Sequence, residues 1–364
     1  MHQENRKNTH LTKVVAVDLF CGAGGLTRGL LDAGIEVKYG FDFDDNFRRT
    51  YDENNKPAVF HRADVRSLSG LDLGRQLNIQ PEEYFLLAAC APCQPFSRHN
   101  KGHRYDRRKS LLLEVGRILR EFERKPDFLF IENVPAIAKV DNGKVLKQFN
   151  AILDELNYNY KSQIVDAKDY GVPQTRKRFI MIGVRKDLYS QELMFPSKTH
   201  GKNALPYETV RKTIGHLPVL RSGQQHDHLS NHEAAVITEI NLKRLGFVPK
   251  DGGSRDSWPR ELVLKCHLTH EGHKDVYGRM KWDAPSPTLT CKCISISNGR
   301  FGHPTQLRAI SLREAALLQT FPGNYTFYGM FRIMAMQIGN AVPVLLAKTF
   351  GSHLISLLAE SSLK

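Results

Sequence analysis

The sequence is poor in the features that mark secreted and membrane proteins. It contains only 6 cysteines in 364 residues, and its first ten residues are polar rather than apolar like the core of a signal peptide. Nor does it contain a run of about 18 apolar residues, the length needed to span a bilayer. Few cysteines in a long chain without a secretion signal favour reduced thiols over a disulfide framework. We therefore expect a cytoplasmic protein without a membrane-spanning segment.

Acidic residues are scarce relative to basic ones. The chain has 38 Asp and Glu against 52 Lys and Arg, which gives a net charge of +14 and a pI near 9.5. Such an excess favours a polyanionic partner through counterion release, although a solvated basic surface is the simpler alternative. Hydrophobic residues make up 41% of the chain, enough for a globular core in one large domain or two ordinary ones.

Two short cysteine patterns raise the question of a metal site. Cys90 and Cys93 are separated by two residues, and Cys291 and Cys293 by one. A zinc site needs such ligands to converge in a tetrahedral arrangement. Cys90 ends an apolar run, however, and the other pair lies in a segment, 288–297, whose alternation is typical of a strand. We therefore predict no metal site.

Strands and helices alternate in the first half of the chain. This order predicts an open, mainly parallel α/β sheet with helices on both faces, and ligands bind such sheets beyond the carboxyl ends of the strands. Apolar runs predict the strands, and apolar residues at helical spacing predict the helices. The predicted strands cover 13–20, 36–42, 83–90, 126–134 and 176–184, and the predicted helices cover 25–34, 110–125 and 144–158.

The composition changes after about residue 187, where the chain becomes rich in Pro, Gly, Ser, His and basic residues. We expect a Rossmann-like catalytic and cofactor-binding domain at 1–186 and a smaller, irregular, β-rich domain at 187–325. A C-terminal segment at 326–364 is expected to return to the first domain. Ser311, followed three residues later by Glu314, predicts a capping box at the start of a helix.

A glycine-rich turn follows the first strand. Gly22 and Gly24 allow a ligand to approach the backbone, and the following helix offers free N–H groups. The dinucleotide fingerprint requires a glycine where Thr27 stands, so the pattern favours S-adenosylmethionine over NAD. At the end of the second strand, Asp42 can accept hydrogen bonds from ribose hydroxyls. Phe43 can cover an adenine ring, and Asp64 can accept from an amino group of the base.

Three further motifs carry reactive groups. Cys93 lies between prolines at a strand end, where a rigidly held thiol suits a nucleophile. Glu132 also ends a strand and can exchange a proton with a substrate. Gln174, Arg176 and Arg178 alternate and so share one face, where the arginines can bind a carboxylate, a phosphate or a base carbonyl. A core cysteine, a capping glutamate and a solvated basic strand are the structural alternatives.

Together these motifs closely resemble those of the DNA cytosine-5 methyltransferases of bacterial restriction-modification systems, over nearly the whole chain. The resemblance implies that the target cytosine is flipped into a pocket, where Cys93 attacks C6 and Glu132 engages N3 and the exocyclic amine. Arg176 and Arg178 would orient the base, with Gln174 in support. The matching motifs are DLFCGAGG (18–25), FDFDD (41–45), APCQPFS (91–97), IENV (131–134), QTRKRF (174–179), RAISLREAALLQTFP (308–322) and QIGNAVP (337–343).

The same resemblance assigns the cofactor and DNA contacts and the partners. Double-stranded DNA is the expected substrate, a cognate restriction endonuclease is the expected partner, and the enzyme is expected to act as a monomer at the nucleoid. The residues expected at S-adenosylmethionine are Asp18, Phe20, Gly22, Gly24, Asp42, Phe43, Asp64, Leu111, Asn340, Ala341 and Val342. The expected DNA contacts are Ser97, Arg98, Lys101 and Arg104 in a basic loop, with Gly253, Arg255, Arg260, Lys265, Arg279 and Lys281 as candidates in the target-recognition region.

Three alternatives stay open at this point. A transfer RNA methyltransferase of the same fold is expected to carry a Cys-Phe-Thr tripeptide, which this sequence lacks. A non-catalytic DNA-binding adaptor would be expected to have lost Cys93, Glu132 or the glycines of the turn, and all are present. An NAD oxidoreductase is disfavoured by Thr27.

Overall fold

The computed structural model describes residues 13–92, 111–269 and 275–361. One seven-stranded sheet organises the first half of the chain. Its central strands are made of buried apolar residues, as expected for strands that helices cover on both faces. The strands are β1 (Val14–Leu19), β2 (Glu36–Asp42), β3 (Val59–Arg62), β4 (Tyr84–Ala89), β5 (Phe128–Asn133), β6 (Tyr158–Asp166) and β7 (Lys177–Arg185).

The strand order in the sheet is β3-β2-β1-β4-β5-β7-β6. The first five strands run parallel to one another, whereas β7 pairs antiparallel with both β5 and β6. The carboxyl ends of β1, β2, β4 and β5 therefore meet at one edge. The residues that the sequence singles out at these strand ends, Asp18, Asp42 and Glu132, are consequently gathered along that edge.

Helices cover both faces of the sheet. The first and last helices pack together on one face around Leu26, Leu30, Leu346 and Phe350, while the third, fourth and fifth enclose the core on the other face. The helices are α1 (Gly25–Asp32), α2 (Arg48–Asn54), α3 (Gly70–Leu77), α4 (Leu111–Glu121), α5 (Lys144–Glu155), α6 (Val210–Ile214), α7 (Glu239–Phe247), α8 (Lys265–Thr269), α9 (Leu312–Leu318), α10 (Phe331–Asn340) and α11 (Val344–Ser361).

The second half of the chain is irregular. After β7 the described residues form isolated β-bridges but no further strand, so the expectation of β-rich structure is met only in part. The strand expected at 288–297 is wrong, because Thr290–Cys293 and the residues after it form turns and a short 3₁₀ helix. The predicted capping box is confirmed: Ser311 and Glu314 bond reciprocally at the start of α9.

The stretch Phe331–Leu358 is long and apolar enough to cross a membrane by length and composition alone. It consists of α10 and α11, which are separated by Pro343, and more than half of its apolar window, 56%, is buried inside the protein. Its apolar residues belong to the two cores that contact α1 and α9. They are therefore accounted for by packing within the fold.

Candidate active site

The turn between β1 and α1 is open on one side and closed on the other. Gly24 adopts φ +88°, and a Cβ there would lie 2.2 Å from Nδ2 of Asn55, so only glycine fits. Gly22, with φ +52°, would direct a Cβ into open space with nothing within 4 Å. The Tyr325 hydroxyl donates a hydrogen bond to the carbonyl oxygen of Ala23 and so helps to hold the turn in place. The turn therefore leaves room for a ligand beside Gly22.

Asp18 is a buried carboxyl group with one incompletely satisfied oxygen. Its Oδ2 accepts a 2.7 Å hydrogen bond from the Thr27 hydroxyl, which is also hydrogen-bonded to the hydroxyl of Tyr51. Its Oδ1 has no hydrogen-bond partner among the residues that the structure describes. Burial raises the pKa of Asp18 to about 7, against the opposing effect of the Thr27 hydrogen bond. A buried acceptor of this kind requires a donor, such as the ammonium group of a bound amino acid.

Asp42 and Phe43 extend this site along β2. Each oxygen of Asp42 accepts one backbone N–H, from Gly22 at 2.9 Å and from Asp44 at 3.0 Å. A carboxylate has further lone pairs, so hydroxyl groups of a ligand can still donate to it. Phe43 is 67% exposed, which leaves its ring accessible for stacking against a base. These features fit a nucleoside that carries an amino acid.

Asp64 lies further along the same edge but already has a basic partner. It caps a short 3₁₀ helix by accepting from the backbone N–H of Arg66, whose guanidinium also pairs with it. The hydrogen bond from Arg66 lowers the pKa of Asp64. An amino group of a bound base would therefore share this carboxylate with Arg66.

The other expected cofactor residues lie in three separate segments. Phe20, in the turn itself, has φ +63°, and Leu111 begins α4 with its side chain buried. A Cβ at Gly25 would lie 2.6 Å from the carbonyl oxygen of Val342 and 3.0 Å from Cβ of Ala341, so this part of the late segment packs directly on the start of α1. Asn340, the preceding residue, is exposed.

The proposed nucleophile, Cys93, lies outside the described residues. The chain that leads to it is described as far as Pro92 and follows the carboxyl end of β4. Asn133, at the end of β5, donates from Nδ2 to the carbonyl oxygen of Ala91 at 3.3 Å. The strand that carries Glu132 is thereby tied to the segment that leads to Cys93. The IENV motif contains Asn133 but gives no sign of this contact, because Ala91 lies 42 residues away in the sequence.

Glu132 and Arg178 form a largely buried ion pair. Nε of Arg178 lies 2.8 Å from Oε1 of Glu132, and the two side chains are 13% and 9% exposed, respectively. Glu132 is opposite Ile180 in the antiparallel pairing of β5 with β7, so Arg178 approaches from the same side of the sheet two residues away. The pair fixes the Glu132 carboxylate at the carboxyl end of β5. This strand lies next to β4, from which the chain leads to the predicted nucleophile.

Gln174 and Arg176 lie deeper than Arg178. Gln174 is fully buried and Arg176 is 2% exposed, and their side chains contact the backbone near Leu289 and Ala341. Gln174 and Arg176 lie before β7 and bond to each other, whereas Arg178 lies within β7 and bonds to Glu132, so their side chains reach different partners. A direct contact of Gln174 or Arg176 with a base stays a prediction.

The candidate DNA contacts divide into three groups. Ser97, Arg98, Lys101 and Arg104 lie outside the described residues. Arg255 is half-buried, with Nη1 3.1 Å from Nε2 of His267. Arg260, Lys265 and Lys281 remain candidates, all on short loops or at helix ends.

The structure excludes Arg279 as a base reader in this arrangement. It is 2% exposed and donates to the carbonyl oxygens of Leu245, Val248 and His303. Its neighbour Arg300, which sequence analysis missed, donates to the carbonyl oxygens of Gly252 and Gly253 and supports the turn before Arg255. Exposure cannot be read from residue type, because an arginine with enough carbonyl partners can be buried.

A seven-stranded sheet with one reversed strand, a glycine turn after β1 and an acidic residue at the end of β2 defines the S-adenosylmethionine-dependent α/β methyltransferase fold. The chain belongs to the C-5 cytosine-specific DNA methylase family, whose sequence model matches residues 14–356. It is therefore a DNA cytosine-5 methyltransferase.

Similar proteins agree with this assignment. The chain is 40% identical to the type II methylase M.HgiDII of Herpetosiphon aurantiacus, with 93% of this chain and 94% of the relative covered. It is 32% identical to the type II methyltransferase M1.HphI of Haemophilus parahaemolyticus, with coverages of 94% and 86%. A prophage-encoded putative DNA modification methyltransferase from E. coli has the same fold, with a TM-score of 0.74, 23% identity, and coverage of 95% of this chain and all of that one.

Proposed function

We propose that this chain methylates C5 of one cytosine within a short, specific sequence of double-stranded DNA, as the modification component of a type II restriction-modification system. The Glu132–Arg178 pair carries the proposal. It places a carboxylate and a guanidinium together at the carboxyl edge of the sheet, beside the strand that leads to Cys93. The type II relatives support the restriction-modification context.

The chain's own residues would perform the base chemistry. The target cytosine must leave the duplex to reach a pocket at the sheet edge. The Cys93 thiolate adds to C6, and Glu132 bonds N3 and the exocyclic amine, so that the electrons of the C5–C6 double bond become available at C5. After C5 is methylated, loss of its proton and elimination of the thiolate restore the aromatic ring. Arg178 keeps Glu132 oriented throughout.

S-Adenosylmethionine is the proposed methyl donor, and it supplies an electrophilic methyl group when bound. Asp18 would accept from its ammonium group, Asp42 from its ribose hydroxyls, and Phe43 would stack on its adenine. Asp64 would accept from the adenine amino group. The open side of the turn at Gly22 and the incompletely satisfied Oδ1 of Asp18 support this arrangement.

DNA recognition is proposed for two regions. The basic loop with Ser97, Arg98, Lys101 and Arg104 would close on phosphates after the nucleophile segment, and residues near 253–255 would approach base edges. We also propose that residues 187–325 form a target-recognition domain. It would lie in the chain between a catalytic domain at 1–186 and a segment at 326–364 that returns to the catalytic domain. We further propose that the chain acts as a monomer in the cytoplasm and that a cognate restriction endonuclease acts on the same DNA site.

The test is genome-wide mapping of 5-methylcytosine in a methylation-free bacterial host that expresses this chain or its Cys93→Ala variant. We expect methylation at one short motif with the native chain and none with the variant. The variant should still bind duplex DNA, because the thiol is needed for bond formation rather than for docking. Unmethylated DNA from cells with soluble native protein would contradict the proposal and direct the search to RNA substrates.

A further inference from the structure

A buried polar network links three distant segments behind the proposed active site. Its side chains are Gln174, Arg176 and Gln319, which are 0%, 2% and 0% exposed. Gln174 and Arg176 immediately precede β7, whereas Gln319 directly follows α9 as its C-cap residue. Buried amide and guanidinium groups require hydrogen-bond partners, so the contacts of these three side chains fix what lies around them.

Within the network, the two glutamines bond directly to each other. Nε2 of Gln174 donates to Oε1 of Gln319 at 2.9 Å. Oε1 of Gln174 in turn accepts from the backbone N–H of Leu289 at 3.0 Å and from Nη1 of Arg176 at 3.3 Å. The same Nη1 donates to the carbonyl oxygen of Leu289 at 2.8 Å. The network therefore holds the irregular second half of the chain against the start of β7.

Two other donor groups of the network bond to the end of α10. Nε2 of Gln319 donates to the carbonyl oxygen of Ile338 at 2.7 Å and to that of Ala341 at 3.3 Å. Nη2 of Arg176 donates to the carbonyl oxygens of Gly339 and Ala341, both at 3.1 Å. The last carbonyls of a helix lack partners within it and carry partial negative charge, which an amide and a guanidinium satisfy.

The segment at the end of α10 packs closely on two neighbouring segments, so a shift of its carbonyl groups would be passed on to them. A Cβ at Gly339 would lie 2.1 Å from the carbonyl oxygen of Thr290, so the two backbones are in direct contact. Beyond Gly339, Ala341 and Val342 pack on Gly25 at the start of α1, beside the glycine turn. A continuous chain of contacts therefore connects Gln319 to the turn that would hold the cofactor.

We propose that Gln319 is a positioning residue for cofactor binding: through Gln174 and Arg176 it fixes residues 339–342 against the glycine turn. This inference rests on the proposed function, in which Asn340, Ala341 and Val342 line the cofactor pocket. It also gives Arg176 a supporting role, beside the base contact that stays a prediction. Arg178, which is bonded to Glu132, remains at the base.

The test uses the full chain with Gln319→Met, which keeps the length of the side chain and removes its donor and acceptor. Binding of S-adenosylhomocysteine is measured by calorimetry without DNA, and methyl transfer is measured in single turnover at saturating cofactor and DNA. We expect the dissociation constant to rise about 10- to 100-fold, as for loss of bonds to buried groups. The single-turnover rate should stay within about 3-fold, because the groups that contact the base are unchanged.

Arg313→Met provides a matched control for stability. Arg313 is also buried in α9 and donates to the backbone of Ser230, but it has no bond to the network. The Arg313→Met substitution should lower the melting temperature without weakening cofactor binding. If Gln319→Met does not fold, Gln174→Met removes the same glutamine–glutamine bond and should also weaken binding.

Three results would overturn the inference. These are unchanged affinity in both glutamine variants, an equal loss of affinity in Arg313→Met, and a fall in the single-turnover rate with normal affinity. The last would mean that the network serves the base rather than the cofactor. A native chain that binds S-adenosylhomocysteine but methylates no DNA would refute the proposed function alone, since the affinity comparison would still decide the role of Gln319.

Discussion

Replacing Asp18 by asparagine should stabilise the free protein in a pH-dependent manner. Burial raises the pKa of this carboxyl group from 3.8 to about 7. Between these values the unfolded chain has lost the proton while the folded protein still holds it, so stability falls as the pH rises. The loss is absent below pH 3.8 and complete above pH 7. Asparagine cannot ionise, yet its oxygen can keep the bond to Thr27.

The size of the effect follows from the pKa difference. From 3.8 to 7, at about 1.4 kcal/mol per pH unit, the ionised carboxylate costs the native protein about 4 kcal/mol at most. Asp18→Asn should therefore gain about 2 kcal/mol relative to the native chain as the pH rises from about 5 to 7, because the slope falls off near the folded pKa. This change does not depend on how well the amide itself packs, because packing is the same at both pH values.

Urea unfolding of both proteins at the two pH values, without cofactor, measures this change. Asp64→Asn is the matched control, because the hydrogen bond from Arg66 lowers the pKa of Asp64 and its charge is favourable in the folded state. That variant should lose stability rather than gain it. A stability difference between Asp18→Asn and the native chain that is equal at both pH values would show that Asp18 does not titrate in this range, and would refute the reasoning.

Three other perturbations test separate parts of the structure. Glu132→Gln should lower the single-turnover rate by about 100-fold or more with little change in cofactor affinity, and a near-native rate would remove its proposed role. Arg279→Met should reduce the free energy of unfolding by about 3 kcal/mol or more, because buried carbonyls lose their donor, without altering the methylated motif. A changed motif with native stability would restore Arg279 as a base reader. Duplex affinity should fall at least about 10-fold between about 50 and 200 mM salt, as filter binding would show, and a flat response would contradict phosphate contacts by the basic residues.

The sheet could be predicted where its strands are buried and apolar. β1, β4 and β5 are continuous apolar runs, and the structure places them at the centre. β6 was missed because its sequence, YNYKSQIVD, is mostly polar and half-exposed at the sheet edge. It is a strand because it pairs with β7 along its whole length, which is a tertiary property. Conversely, 288–297 alternates like a strand, but none of the strands in the described part of the chain pairs with it.

The reactive residue types of the site could be predicted, but their partners could not. Arg176 and Arg178 occupy equivalent positions in the QTRKRF motif, and local spacing cannot distinguish them. The structure separates them, since Arg178 bonds to Glu132 and Arg176 bonds to carbonyl oxygens of the late segment. Those partners lie more than 160 residues away in the sequence, where no periodicity links them to β7.

Buried arginines help to hold together the second half of the chain, in which the described residues form no strand after β7. Where there is no strand ladder, an interior backbone carbonyl needs a hydrogen-bond donor from elsewhere, because leaving it unsatisfied would be costly. A guanidinium carries five donors and no acceptor, so one side chain can satisfy several carbonyls at once. Arg176, Arg279 and Arg313 do this for carbonyls of different loops, while Arg308 pairs with Glu314 inside the same region. Some of the arginines that contribute to the net positive charge therefore supply hydrogen bonds that strands would otherwise make. Only the exposed basic residues are available to bind DNA.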